Sequence, residues 1–347
     1  MGPLKNNKYK RMKKVLSIMA VSALLSCGSQ KKIIKTETNI NEVKETTQIV
    51  VSKTDNISPV LEKNVKESLE FLASDELEGR NTGSKGIEKA AVFIEDYFKK
   101  NNIKPYFKTY RDSFNLKDIV GYNIVGYIEG TDSALKKEFV ILGAHYDHIG
   151  NGKEVNGDVI ANGANDDASG TVAVMEWAKY FSKAKSNKRS ILFTLYSAEE
   201  MGLKGSGHLA ERLKKENLNL YTMINFEMIG VPRAKEEIMA YMSGYEKSNL
   251  GEKLNEYGEK EVIGFFPKAK EFQLFMRSDN YPFYKAFKKP AHAISTFDFT
   301  NFDYYHHVDD EADKMDFEHM TNFINVMIPA LEGMINAPTQ DIKMNDE

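Results

Sequence analysis

The stretch "ILGAHYDHIG", residues 141–150, sets His145, Asp147 and His148 directly behind an apolar run. Imidazole and carboxylate groups are costly to dehydrate without a partner. A buried segment that ends on them therefore implies that something charged gathers at its end.

Working outward, "YNIVGYIEG" (122–130) and "EFVILGA" (138–144) read as neighbouring strands, "SGTVAVMEWAKYFSKA" (169–184) as a helix and "RSILFTLYS" (189–197) as a strand. "HLAERLKKEN" (208–217) reads as a helix, and "YTMINFEM" (221–228) and "PAHAISTF" (290–297) as strands. Upstream, the apolar spacing of Val65, Leu69, Phe71 and Leu72 in "NVKESLEFLASDELEGR" predicts a helix, and "GIEKAAVFIEDYFKKNN" repeats that spacing more strongly. Strands alternating with helices predict an α/β domain: a mixed, largely parallel central sheet covered by helices on both faces. Residues 231–290 fit the alternation less well. Their aromatic density, including Phe265, Phe266, Phe272, Phe275 and Tyr281, is consistent with a pocket-wall insertion or with a packed excursion of the core.

Ligands of open α/β sheets collect beyond the carboxyl ends of the strands, and here each strong strand runs into a potential ligand or base. "EFVILGA" runs into His145 and Asp147, and "NGANDDASG" places Asn165, Asp166 and Asp167 just before a helix. "RSILFTLYSA" delivers Glu199 and Glu200, "YTMINF" delivers Glu227, and "NFDYYHHVDDEADKMD" offers His306, His307, Asp309 and Asp310. Taken singly, each is a common surface feature or helix cap. Together on one rim, such carboxylates would repel one another and resist ionisation unless divalent cations neutralised them. Two imidazoles with three carboxylates make a mixed nitrogen and oxygen ligand set that suits zinc.

In order and approximate spacing, "FLASDELEGRNTGSKG", "GAHYDH", "GANDDASGTVAVMEWA", "YSAEEMGLKGS", "NFEMIG", "RSDNYPF" and "YYHHVDDEADKMD" resemble the co-catalytic di-zinc aminopeptidases of the bacterial leucyl aminopeptidase type. That wider family includes glutamate carboxypeptidase II, glutaminyl cyclases and the metal-free ectodomain of the transferrin receptor. The resemblance runs from about Val65 to Asp316 and implies a phosphorylase/hydrolase-like zinc-peptidase fold acting on peptides. It makes His145 and Glu227 ligands of one zinc, Glu200 and His306 ligands of the other, and Asp166 the carboxylate bridging both. His306 rather than His307 is chosen because it stands four residues before Asp310, as in the family's H-x-x-x-D segment. Glu199 would be the general base, Asp147 the group orienting His145, and Asp167 would follow Asp166 across a cis peptide.

Two departures stand out. Glu227 occupies a position that is usually aspartate, which bears on full occupancy of the first zinc, and Asn280 stands where histidine is common. His148, His208, His292 and His319 read as structural or surface residues, Trp177 as core, and Arg80 as a tie between the opening segment and the core.

Other readings are constrained by the sequence. No G-x-S-x-G elbow occurs, which argues against a serine hydrolase of that kind. A glutaminyl cyclase-like acyltransferase using one zinc, and a non-enzymatic binding module on the same fold, remain as alternatives.

The amino-terminal segment carries a different message. Lys5, Lys8, Lys10, Arg11, Lys13 and Lys14 precede an apolar run from Val15 to Leu25. That run is shorter than the roughly 20 residues of a membrane span and fits the core of an export signal. Cys27, the sole cysteine, follows in "LLSCGS" and so makes no internal disulfide. The pattern resembles a bacterial lipoprotein signal over residues 1–26, with Cys27 lipidated; a plain secretory signal or membrane anchor is the alternative. Residues 27–56 are polar and aperiodic and read as a lipidated tether, with "IIK" and "IVV" as possible weak strands. Residues 57–340 would form the zinc-peptidase domain, anchored to the cell envelope only through Cys27. Removing six positive charges moves the formal charge from -3 to -3 - 6 = -9, a balance that argues against nucleic-acid binding.

Overall fold

The computed structural model describes residues 58–233 and 238–345. The expected signal, tether and Cys27 lie outside the described residues. In chain order the regular elements are α1 (Glu62–Leu72), α2 (Lys85–Lys100), β1 (Lys104–Pro105), β2 (Arg111–Leu116), β3 (Ile119–Ile128), β4 (Phe139–His145), β5 (Gly150–Val155), β6 (Asp158–Ala161), α3 (Gly170–Ala184) and β7 (Ser190–Tyr196). They continue as α4 (Lys204–Lys215), β8 (Leu220–Phe226), β9 (Ala240–Met242), α5 (Leu250–Gly258), β10 (Ile263–Gly264), α6 (Pro267–Glu271), α7 (Asn280–Phe287), β11 (Ala291–Ser295) and α8 (Phe317–Asn336).

The main sheet runs β1-β3-β7-β4-β8-β11-β9-β10, with β2 paired to β3. Its centre, β7-β4-β8-β11, is parallel, while β1, β2 and β3 join antiparallel on one side and β9 pairs antiparallel with β11 on the other. Strands β7, β8 and β11 are buried at every position, as expected of parallel strands covered on both faces.

Side-chain alternation divides the core into two layers. Val140 and Leu142 of β4 and Ile191, Phe193 and Leu195 of β7 join a cluster with the buried faces of α1, α2, α3, α5 and α8. Ile141, Leu192 and Tyr196 face the opposite way, onto Leu209 and Leu213 of α4 and Phe283 of α7. Trp177 is buried in the first layer, and its indole N–H donates to the Ile324 carbonyl at 3.0 Å.

Two sequence expectations need correction. Strands β3 and β4 are not neighbours, because β7 lies between them, antiparallel to β3 and parallel to β4. The uninterrupted apolar run of β4 suits a central strand with parallel partners on both edges, and β7 and β8 supply them. The helix expected across 64–80 stops at Leu72, and a separate 3-10 turn, Asp75–Arg80, follows. Residues 231–290 serve both of the roles considered for them. Strands β9 and β10 extend the sheet and α5 packs in the first layer, while Tyr241, Leu274 and Arg277 reach the cavity described below. No helix among the described residues is long and apolar enough to cross a membrane.

Because the central strands are parallel, the residues that follow them emerge at one edge. His145 ends β4, Glu199 and Glu200 follow β7, Glu227 follows β8, and the segment after β11 returns His306.

Candidate metal centre

A cavity of about 120 Å³ at this edge is lined by His145, Asp166, Glu199, Glu200, Glu227 and His306, walled by Met228, Tyr241, Leu274, Phe297, Phe299 and Tyr305, with Arg277 also contributing. A larger groove of about 920 Å³, lined by residues such as Phe114, Leu203 and Tyr281, contains none of the expected ligands. The aromatic wall therefore comes from Tyr241, Phe297, Phe299 and Tyr305. Of the aromatics singled out in the sequence, Phe266 and Phe275 are buried elsewhere and Phe265 and Phe272 are exposed.

Asp166 stands at the centre. Its Oδ1 lies 3.2 Å from His145 Nε2, and its Oδ2 lies 3.3 Å from His306 Nε2. His306 Nε2 is also 3.1 Å from Glu200 Oε2. His307 instead accepts the Asp309 backbone N–H at its Nδ1, at 3.1 Å. The structure thus brings His145, Asp166, Glu200 and His306 together, with Glu199 and Glu227 on the same cavity wall.

The backbone at the rim is held by groups that the sequence left without that role. Asp310 accepts the backbone N–H groups of Asn165 and Asp166 at 2.8 and 3.1 Å. Asp167, joined to Asp166 by a cis peptide, accepts from His145 N–H through Oδ2, and from Gly170 and Met228 N–H through Oδ1. It thereby ties β4, α3 and the end of β8 to one carboxylate. Gly170 makes this possible, since a Cβ there would sit 2.1 Å from the Phe226 carbonyl oxygen. Arg80 is fully buried and donates to the carbonyls of Leu72, Tyr146, Asn162 and Gly163, tying the opening segment to the core as expected. Ala198, Met228 and His306 take left-handed backbone, with φ of 58°, 49° and 55°. Such conformations cost on the order of 1 kcal/mol or more each and concentrate at functional sites.

Asp147 reaches both His145 and the segment bearing Glu199. His145 Nδ1 is 3.2 Å from the Asp147 backbone oxygen and 3.7 Å from its Oδ1. The second carboxylate oxygen accepts from the Thr82 hydroxyl at 3.3 Å.

The remaining histidines separate cleanly. His208 pairs with Asp112 at 3.3 Å, and His292 is buried between the Ser248 hydroxyl and the Ser243 carbonyl. His319 lies on α8, where its N–H is capped by Asp316. His148 differs from them: it is fully buried beside the ligand cluster, with Nδ1 3.1 Å from Glu200 Oε1 and 3.9 Å from Asp166 Oδ2. The i, i+3 spacing from His145 was the available signal. It is ambiguous because a buried histidine is more often satisfied by ordinary core partners.

Electrostatically, the cluster is short of positive charge. Burial pushes the Glu199 carboxyl well up, and Asp279, Glu200 and Glu227 add to this against His145. Burial likewise pushes Glu227 up to about 7, opposed by a hydrogen bond from Ser278, and pushes Asp279 up to about 7. Asp166 goes the other way: despite burial, hydrogen bonds from His145 and His306 hold it well below the usual carboxylate range. Glu200 is also held low, by His148 and His306 against burial and Asp166. Burial opposes a charged His306, yet Asp166 and Glu200 raise it to about 10.

These residues fit a bound cation. His148 Nδ1, His148 Nε2 and Glu200 Oε1 are buried without any hydrogen bond of acceptable geometry. His148, Asp166 and Glu200 offer donor atoms that all lie within 4.8 Å of one another. Nitrogen and carboxylate oxygen donors without thiolate are a usual zinc set.

The family model "Peptidase family M28" matches residues 123–331, more than half of the chain. The chain belongs to peptidase family M28. The family stretch runs from the middle of β3 into α8 and so contains every candidate ligand. A "Probable zinc metalloprotease" of Pyrenophora tritici-repentis is 37% identical over 114 residues, covering 33% of this chain and 25% of that protein. The chain thus matches only about a quarter of that relative's length. Among solved structures, the LapA aminopeptidase of Legionella pneumophila is similar over 81% of this chain and 73% of its own, with TM-score 0.61 and 22% identity. The glutaminyl cyclase of Fimbriiglobus ruber is similar over 79% and 96%, with TM-score 0.63 and 18% identity. Both likenesses concern the fold, which is the mixed, largely parallel sheet expected from the sequence.

Proposed function

We propose that the chain is a di-zinc exopeptidase, an aminopeptidase that removes N-terminal residues from peptides. The observation that carries this reading is the two-sided environment of Asp166, one of whose oxygens faces His145 and the other His306. His145, Asp166 and Glu227 would hold one ion, and Asp166, Glu200 and His306 the other. Zinc, when bound in such a site, lowers the pKa of water from about 15.7 toward about 7 and polarises a substrate carbonyl.

The chain's own residues supply the rest. Glu199 accepts the proton of the attacking water and returns it to the leaving amine, the role of a general base and then acid. Its neighbour Glu200 turns to His148 and His306, so the adjacent glutamates divide base and ligand duties. Asp147 orients His145 and holds the Glu199 backbone. Tyr241, Leu274, Phe297, Phe299 and Tyr305 offer an apolar wall for the first side chain.

The substrates in this reading are peptides and not nucleic acids, consistent with the acidic balance of the chain after its basic start. The sequence of residues 1–27 supports export and a lipid anchor at Cys27, on the periplasmic side or the cell surface, as the sole membrane attachment. Retention of a Cys27→Ser variant in the membrane fraction would contradict that anchor.

Hydrolysis of aminoacyl-anilides, measured with and without a strong chelator and in a Glu199→Gln variant, tests the activity. Chelator-sensitive cleavage that the variant loses supports the aminopeptidase. Pyroglutamate formation from N-terminal glutamine, or the absence of any turnover by zinc-loaded protein, overturns it in favour of a cyclase or a binding module.

A further inference from the structure

We propose that His148 is itself a metal ligand, joining Asp166, Glu200 and His306 on the second cation through Nδ1. The proposal rests on the metal-centre reading above and adds a residue to it.

His148 is held in place before any ligand arrives. Its backbone N–H donates to the Arg80 carbonyl at 3.3 Å, and its ring is fully buried. Gly163 makes room for that ring, since it has φ +59° and a Cβ there would stand 2.5 Å from His148 Cγ. Packed so closely, the imidazole still leaves both nitrogens without a hydrogen bond. Buried polar atoms are ordinarily paired, so an orphan pair on one ring points to a partner of another kind.

The geometry identifies that partner. Nδ1 lies 3.1 Å from Glu200 Oε1 and 3.9 Å from Asp166 Oδ2. Two donors each about 2.1 Å from one zinc, at a tetrahedral angle, stand about 3.4 Å apart, and the observed separations bracket that spacing. Glu200 Oε1 also lacks a hydrogen bond, so the short approach is not an aligned one. His306 meets the same carboxylates, and the two imidazoles stand edge to face with centroids 5.6 Å apart. His145 and His148, from one turn of chain, thus serve opposite oxygens of Asp166: His145 the first position and His148 the second. Four side-chain donors would then face the second position against three at the first, so the second is expected to bind the tighter of the two ions.

The test uses the full chain with 15N-labelled histidine, loaded with 113Cd. Three imidazole rings are expected to show one-bond 113Cd–15N coupling, one of them through Nδ1, and the Nδ1 signal is expected to vanish in His148→Ala. Affinity for the tighter ion in that variant is expected to fall about 10- to 100-fold. Coupling to only two rings, both retained in the variant, overturns the role of His148 while leaving the centre intact. Coupling to no ring overturns the centre itself along with this inference. The measurement on unsubstituted protein decides the matter even if His148→Ala fails to fold.

Discussion

The Oδ1 atom of Asp147 accepts the backbone N–H of Glu199 at 3.2 Å. The same oxygen lies 3.7 Å from His145 Nδ1, so one carboxylate sets both a candidate ligand and the candidate base. Replacing Asp147 with alanine is expected to lower kcat/KM by about 10- to 100-fold and to weaken zinc binding. Steady-state kinetics beside zinc quantitation check this, and unchanged values for both would remove Asp147 from the account.

The adjacent glutamates should fail in different ways. Glu199→Gln keeps its metal but loses about 10²- to 10⁴-fold in kcat, because proton transfer is removed and ligation is not. Glu200→Gln loses zinc first, since Glu200 faces His148 and His306. Zinc content of the two purified variants separates the roles; equal losses of metal would contradict the division.

In the metal-free protein, stability should fall as pH rises. Burial raises Glu227 and Asp279 to about 7, and burial with Asp166 nearby raises Asp310 to about 8. A carboxyl raised in the fold binds its proton more tightly there than in the unfolded chain. The folded state is therefore disfavoured progressively from about pH 4 up to about 8. His306, at about 10, acts in the same direction: its contribution is complete below its unfolded value of 6.5 and fades as pH climbs through 10. Thermal melts in chelator should show Tm dropping between about pH 5 and 8, with zinc reversing most of the drop. A flat or rising Tm in chelator would refute the charge shortage.

Arg80 should matter to the fold more than to chemistry. Its guanidinium satisfies four buried carbonyls, and Arg80→Leu would leave them unpaired at a cost of about 3 kcal/mol or more. Urea unfolding measures the loss, and a change under about 1 kcal/mol would show that water replaces the contact.

Much of this was legible in the sequence, for identifiable reasons. Parallel strands read as apolar runs and their ends announce polar groups, which places His145, Glu199, Glu200, Glu227, the Asn165–Asp167 segment and the His306–Asp310 segment on one rim, while the family resemblance singles out Asp166 and His306 within those segments. The insertion of β7 between β3 and β4 was not legible, because sheet order depends on pairing between distant segments rather than on local period. Aromatic density at Phe265, Phe266, Phe272, Phe275 and Tyr281 fits either a pocket wall or core packing and does not locate the wall. The wall comes from Tyr241, Phe297, Phe299 and Tyr305, set beside the cavity by the sheet's far edge and the loop after β11. The approach of His148 to Glu200 was not legible, because burial and orphaned ring nitrogens exist only in three dimensions, and the spacing of Asp310 says nothing of its grip on the Asn165–Asp166 backbone.

The shared role of Asp166 is tested most directly by an anomalous difference map, at the zinc absorption edge, of crystals grown with excess zinc. Two peaks, one on each side of the Asp166 carboxylate, are the expected result. Density on neither side of that carboxylate would contradict the account.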